Sequence, residues 1–339
     1  MPGLSSGKGE AAMSVQTSVK PLTATAVVKT KRERIRYMWA YLFLLPQLLF
    51  FIVFTIYPII MSYVYAFFDW SGFGPLTNFV RLENFTKLIH DDKFWNAFRN
   101  SLIYMASKTV ILMPATLIMA LILNQAFFKG KVIYRTVYFL PVVTTTSIVG
   151  IIMKFIFGNE NALVNEVLIG LGLLKEPIPW LGQAGTAMGV LILVGSWKFF
   201  GMMMVYWLAG LQSLPGDVYE AAKVDGASYW QTLKSITLPL LLPVAAVILL
   251  LTVVNSMHVF DLVKTLTNGG PFFATETVDL YIYNYAFSTS GFPQIGYASA
   301  AGIVFGLTMF VMTLVLGWLV KLTKDKQEAQ DARLSRGGI

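Results

Sequence analysis

The chain contains no cysteine and only two histidines, His90 and His258, far apart in sequence. This excludes disulfides, thiolate metal sites and a His-rich metal motif. Charge is scarce as well: Asp, Glu, Lys and Arg make up 13% of the 339 residues. A soluble domain carries about 25%. Also missing is a phosphate-cradling loop of the form Gly-x4-Gly-Lys-Ser/Thr. The nearest piece, Gly130-Lys131-Val132, lacks both the hydroxyl residue and the spacing.

What is abundant is apolar, at 56% of residues. Too little polar surface remains to cover a water-soluble globule of this size. A large soluble core would need only runs of strand or ordinary helix length, and the runs here are longer. A bilayer core about 30 Å thick needs roughly 20 apolar residues at 1.5 Å rise each. Hydropathy places six spans, at about 38–65, 101–124, 134–157, 185–211, 239–262 and 297–320. Barrel strands are shorter and alternate in polarity, so the expectation is an all-α polytopic helix bundle.

The net charge of +8 would raise nucleic acid as a partner in a soluble protein. Here its placement reads as topology. With both termini inside, the inner side collects Lys8, Lys20, Lys29, Lys31, Arg32, Arg34 and Arg36. It gains Lys129, Lys131, Arg135, Lys223, Lys234, Lys321, Lys324, Lys326, Arg333 and Arg336. The outer side keeps Arg81, Lys87, Lys93, Arg99, Lys175 and Lys264. That bias predicts cytoplasmic N and C termini and no nucleic-acid role. Lys108, Lys154 and Lys198 lie within spans. Lys108 and Lys154 read as structural, near enough to the outer ends to snorkel.

The predicted organisation follows. Residues 1–36 are a disordered basic tail without a cleavable signal. Residues 37–66 form the first membrane helix, 67–96 an outer loop, 97–320 the main helix bundle and 321–339 a second tail. Outer loops at about 66–100, 158–184 and 263–296 are long for connectors, which points to a docking surface. Interfacial helices with Trp70, Phe94, Trp95 and Trp180 as belt residues are an equally open reading.

The segment 213–239 reads as a helix–turn–helix on the inner side. Glu220 through Lys223 favour helix, and Gly226 stands where a left-handed C-terminal cap is wanted. Ser228 and Gln231 have capping-box spacing. Pro239 suits the first turn of the next span. Val218, Tyr219, Ala221 and Ala222 are expected to offer an apolar face to a partner. Periodicity alone slightly favours a plain connector.

One string goes further: Glu220-Ala221-Ala222, three residues, Gly226, nine residues, then Ile236-Thr237-Leu238-Pro239. It resembles the cytoplasmic loop signature of membrane subunits of ABC importers at every fixed position. Tyr138-Phe139-Leu140-Pro141, Leu208 to Gln212, Leu266 to Pro271 and Gly296 to Ala300 are similar to the carbohydrate-uptake branch. That branch includes the larger membrane subunit of maltose-type transporters, and the likeness spans about 38–320. The resemblance implies a type I permease fold with a coupling helix. Glu220, Ala221, Ala222, Gly226, Ile236, Leu238 and Pro239 would carry the contact with a separate ATPase. It implies a second homologous permease subunit, two ATP-binding subunits and an extracytoplasmic solute-binding protein in the inner membrane of a prokaryotic cell. No cofactor is expected on this chain, since ATP and Mg would be used by the partner, so the chain is not expected to be an enzyme.

Polar groups inside a bilayer are costly and turn towards the bundle interior. The candidate pathway residues are Thr144 and Thr146; Ser196, Trp197, Lys198 and Phe199; and Thr252, Asn255 and Ser256. The resemblance puts sugar contacts at positions matching Thr146, Lys198, Phe199 and Ser256. For any single Thr or Ser, interhelical hydrogen bonding is the more economical reading; the cluster over three spans favours a pathway. Lys198 is expected to face the cavity or to pair with Asp261. His258 is expected to be a hydrogen-bonded helix residue. The importer reading has two rivals in transport: sugar phosphate or glycerol phosphate as cargo, and an ion-driven secondary transporter. A non-transporting scaffold is a third.

Overall fold

The computed structural model describes residues 31–125, 129–158, 162–287 and 291–336, with side chains of 31–33 and 326–336 left aside. The chain divides into two compact units, residues 1–58 and 59–339.

The first unit holds α1 (Lys31–Phe51) and a π-helical turn (Ile52–Ile56); the helix that follows, α2 (Tyr57–Tyr65), straddles the boundary at Pro58. Pro58 explains that turn. A proline ring presses on the carbonyl four residues back, and a wider turn relieves the clash. The Tyr57 N–H accordingly reaches the Ile52 carbonyl. Phe43 is 80% exposed and Phe54 71%, as a lipid-facing helix requires. The tail expected over 1–36 is shortened: 31–36 are helical, and 1–30 lie outside the described residues.

Beyond α2 the second unit holds α3 (Glu83–Ile89) and α4 (Asp92–Asn124). Next come α5 (Lys131–Val143), α6 (Thr146–Ile156), α7 (Leu163–Gly170) and α8 (Ala184–Gln212). Short helices α9 (Gly216–Val224) and α10 (Tyr229–Thr232) lead through a second π turn (Leu233–Thr237) into α11 (Leu238–Met257). Here Pro239 plays the part of Pro58. The unit closes with α12 (Phe260–Leu266), α13 (Val278–Ala286) and α14 (Ile295–Arg336).

α8 is the hub: α4 and α5 pack on it, while α11 bridges α4 and α14. Gly201 permits the close approach of α5, because a Cβ there would strike the Tyr138 carbonyl. Met203, Met204, Trp207 and Leu241 fill the core at one end of α8, and Tyr104, Leu191 and Val194 at the other.

Among the described residues five helices are long and apolar enough to cross a membrane, or six if a bent pair is one span. That pair is the third expected span. It is two helices, α5 and α6, meeting at 96°. The break falls at Thr144–Thr145, past Pro141, which stays inside α5. The fifth span ends at Met257, where 262 was expected, and α12 is separate. The second expected tail is helical to Arg336 as part of α14. The outer loop expected over 67–96 contains α3 and the start of α4.

Candidate functional site

The loop 213–239 is folded and capped as its sequence predicts. Gly226 has φ +72°, the Ala227 N–H donates to the Ala222 carbonyl at 2.9 Å, and the Gly226 N–H to Lys223 at 3.1 Å. These bonds satisfy the carbonyls that end α9. Nothing lies within 4 Å of a Cβ built at Gly226, so backbone conformation alone selects glycine there. Ser228 and Gln231 form the capping box, with the Ser228 N–H donating to Gln231 Oε1 at 2.8 Å.

The outward face differs from expectation in part. Val218, Glu220 and Ala221 are exposed, but Ala222 is buried and Tyr219 is half-buried, its hydroxyl donating to Thr237 Oγ1 at 3.2 Å. Tyr219 and Ala222 therefore fasten the loop to the bundle. Val224 at 88% exposure and Trp230 at 74% complete the apolar face. Leu238 and Pro239 are also exposed and Ile236 is half-buried. Sequence reasoning missed Val224 and Trp230; an exposed tryptophan off the span was the available signal.

The candidate pathway residues separate into three groups. Thr146, Phe199 and Asn255 line one cavity of about 320 Å³ together with Tyr104, Lys108 and Asp261. Thr252 and Ser256 are buried and turned onto their own helix, donating to the Ile248 and Thr252 carbonyls at 2.7 and 2.6 Å. Ser196 is buried, while Trp197 is 45% exposed on the outside of α8.

Lys198 meets neither expectation. Its Nζ donates to the carbonyls of Thr144 (2.7 Å) and Pro141 (3.2 Å), at the C-terminal end of α5. A helix end leaves carbonyls without partners and carries partial negative charge, so a buried cation is well placed there. Lys108 departs too: it is only 2% exposed and does not snorkel. His258 lies just past the end of α11, 3.5 Å from Asp279.

The far end of α4 is stapled to the segment after α12. Asn100 Nδ2 donates to the Phe273 and Glu276 carbonyls, both at 3.0 Å, and Ser101 Oγ accepts the Val278 N–H at 3.0 Å. Asp91 Oδ2 accepts from Tyr281 at 2.5 Å and Tyr297 at 2.8 Å. Burial opposes the charged form of Asp91, but those hydroxyls and the Lys93 and Phe94 N–H groups outweigh it, so its pKa sits below the usual carboxylate value. Glu276 goes the other way: burial raises its pKa, against the hydrogen bond from Asn284.

Residues 112–326 match the family described as binding-protein-dependent transport system inner membrane component. The chain belongs to that family. This permease is 33% identical over 290 residues to the probable ABC transporter permease protein YurN of Bacillus subtilis, covering 85% of this chain and 97% of that one. It is 34% identical over 278 residues to the arabinooligosaccharides transport system permease protein AraP of the same organism, covering 81% and 86%. Among solved structures it is similar to a chain of a bacterial alginate ABC transporter in complex with an alginate pentasaccharide-bound periplasmic protein. That likeness has a TM-score of 0.75 at 25% identity and covers 86% of this chain and 98% of the other. The permease has the type I importer fold of an inner-membrane transport component, and such components are not enzymes.

Proposed function

We propose that this permease forms half of the translocation path of an ATP-driven sugar importer. It couples to a separate ATPase through residues 213–239, with Glu220, Ala221, Gly226 and the apolar residues Val218, Val224 and Trp230 at the contact. The observation that carries the proposal is the capped, folded loop whose apolar side chains point away from the bundle. A mere connector has no use for a tryptophan at 74% exposure or for two caps. Sugar as cargo is supported by what two similar proteins carry in their names, arabinooligosaccharides and alginate.

The bias of Lys and Arg places the loop and both termini in the cytoplasm. The working assembly then holds a second, homologous permease, two ATP-binding subunits that use ATP and Mg, and an extracytoplasmic binding protein. That binding protein docks on the end of the bundle built from 66–100, 158–184 and 263–296. Residues 97–320 form the permease body, and this chain holds no cofactor of its own. The sugar-phosphate alternative leaned on Lys198, whose ammonium is taken up by Thr144 and Pro141.

Reconstituting the assembly in proteoliposomes tests the proposal. Sugar uptake is expected to require ATP inside and to fall at least tenfold in Glu220→Ala and Gly226→Pro variants that still assemble. Uptake that survives loss of the ATPase and collapses with an uncoupler would overturn it in favour of ion-driven transport.

A further inference from the structure

The cavity between α4, α8 and the α11–α12 junction has a cation at its closed end. Lys108 is 2% exposed, and its Nζ lies 4.4 Å from the centre of the Phe199 ring and 5.5 Å from that of Tyr104. Among the described residues no carboxylate or carbonyl comes within bonding distance of this ammonium. The Tyr104 hydroxyl also lacks a hydrogen-bond partner, but it is fully buried against Gly195 on α8. The ammonium thus stands without an acceptor in the lining of a cavity of about 320 Å³. Aromatic faces soften the isolation of an ammonium but do not neutralise it. A buried unpaired charge is costly to keep, and an anion arriving in the cavity removes that cost.

The rim is of opposite character. Asn255, His258 and Asp261 are exposed there, and Asp279 lies 3.5 Å from His258. Exposed carboxylates and amides are acceptors and donors for hydroxyl groups. The gradient from a hydroxyl-binding rim to a lone cation fits a ligand that is hydroxylated along its length and anionic at one point.

We infer that this cavity takes a sugar acid: Lys108 Nζ donates to its carboxylate while Asn255, Thr146 and Asp261 meet its hydroxyls. The inference rests on the sugar-importer reading and names its cargo class. A carboxylate fits better than a phosphate. One ammonium matches a single negative charge, whereas a phosphate with nearly two charges calls for further cationic donors. The other basic side chain in the lining, His258 at the rim, is already engaged by Asp279.

The test uses the complete importer in proteoliposomes with three kinds of probe. These are uronate disaccharides (galacturonate, glucuronate and mannuronate types), the methyl esters of each, and glucose 6-phosphate. At least one uronate disaccharide is expected to enter in an ATP-dependent manner. Esterification, which removes the charge and keeps the skeleton, is expected to cut uptake roughly tenfold or more. Lys108→Gln is expected to give the same loss for the acid and little change for the ester, and Lys108→Arg to retain most uptake. Should Lys108→Gln fail to assemble, the ester comparison on the unaltered protein decides. ATP-dependent uptake of the esters in preference to the acids, or of glucose 6-phosphate alone, overturns the inference while leaving the importer reading intact. Uptake of none of the probes overturns it as well.

Discussion

Lys198 on α8 donates its ammonium to the carbonyl of Thr144, 2.7 Å away, where the third span breaks. With the second bond to Pro141 it closes the end of α5 and fixes the 96° bend into α6. Gly201, one turn further along α8, lets α5 approach closely enough for this contact. The break also delivers Thr146 to the cavity.

Replacing Lys198 with Met is therefore expected to lower the stability of the detergent-solubilised protein. The loss is about 1.5–3 kcal/mol, the usual worth of hydrogen bonds to a charged group. Lys198→Arg, which keeps the charge, is expected to lose less. Thermal unfolding of the variants checks this; an unchanged midpoint for Lys198→Met would remove the bend from its control.

Gly226 makes a purely conformational prediction. With φ +72° and open space around it, Gly226→Ala meets no neighbour, only the roughly 1–2 kcal/mol cost of the left-handed region. Gly226→Asn is expected to cost less than alanine, since Asn tolerates that region. Hydrogen exchange across 216–232 reads the difference directly as faster exchange in the alanine variant.

Ser228→Ala removes the capping box in front of α10 and is expected to cost about 1 kcal/mol. The readout is ATP-dependent sugar uptake at unchanged expression, with a modest fall. A fall equal to that of Glu220→Ala would mean that the cap itself contacts the partner.

Asp91 predicts a pH dependence at the other end of α4. Its folded pKa is depressed below the unfolded carboxylate value of about 3.9, so its contribution is complete at neutral pH. That contribution fades as pH falls through the folded pKa. Protection of α13 from hydrogen exchange is expected to drop between pH 5 and acid conditions. In Asp91→Asn the drop is expected to vanish from a lower starting protection. Tyr281→Phe is expected to lose part of the same protection, because it removes the 2.5 Å bond.

Much of this was legible in the sequence, for identifiable reasons. Long apolar runs set the helices, because a bilayer leaves few other choices. The loop 213–239 could be read residue by residue, because capping is local: Ser228, Gln231 and Gly226 act on neighbours within four positions. What was not legible depends on pairs distant in sequence. Nothing near Lys198 announces Thr144 and Pro141 as its acceptors, and Asp261 was an equally good guess. Nor does the sequence around Lys108 show that α8 and α12 would close over it. The break at Thr144–Thr145 was hidden by Pro141, the more obvious breaker, which α5 absorbs. Among the candidate polar residues, Thr252 and Ser256 share a face with spacing that allowed either a pathway or back-bonding onto α11; the distances show the second.

The account rests on contact between the loop and a separate ATPase, and the absence of native cysteine makes that contact directly measurable. A Val224→Cys variant, at a position 88% exposed, can be cross-linked in the assembled transporter to cysteines introduced on the ATP-binding subunit. The account predicts a cross-link whose yield changes between the ATP-bound and nucleotide-free states, and none from a cysteine placed at Phe73, at the other end of the bundle. Efficient sugar uptake by a transporter in which position 224 never cross-links to the ATPase in any nucleotide state would contradict it.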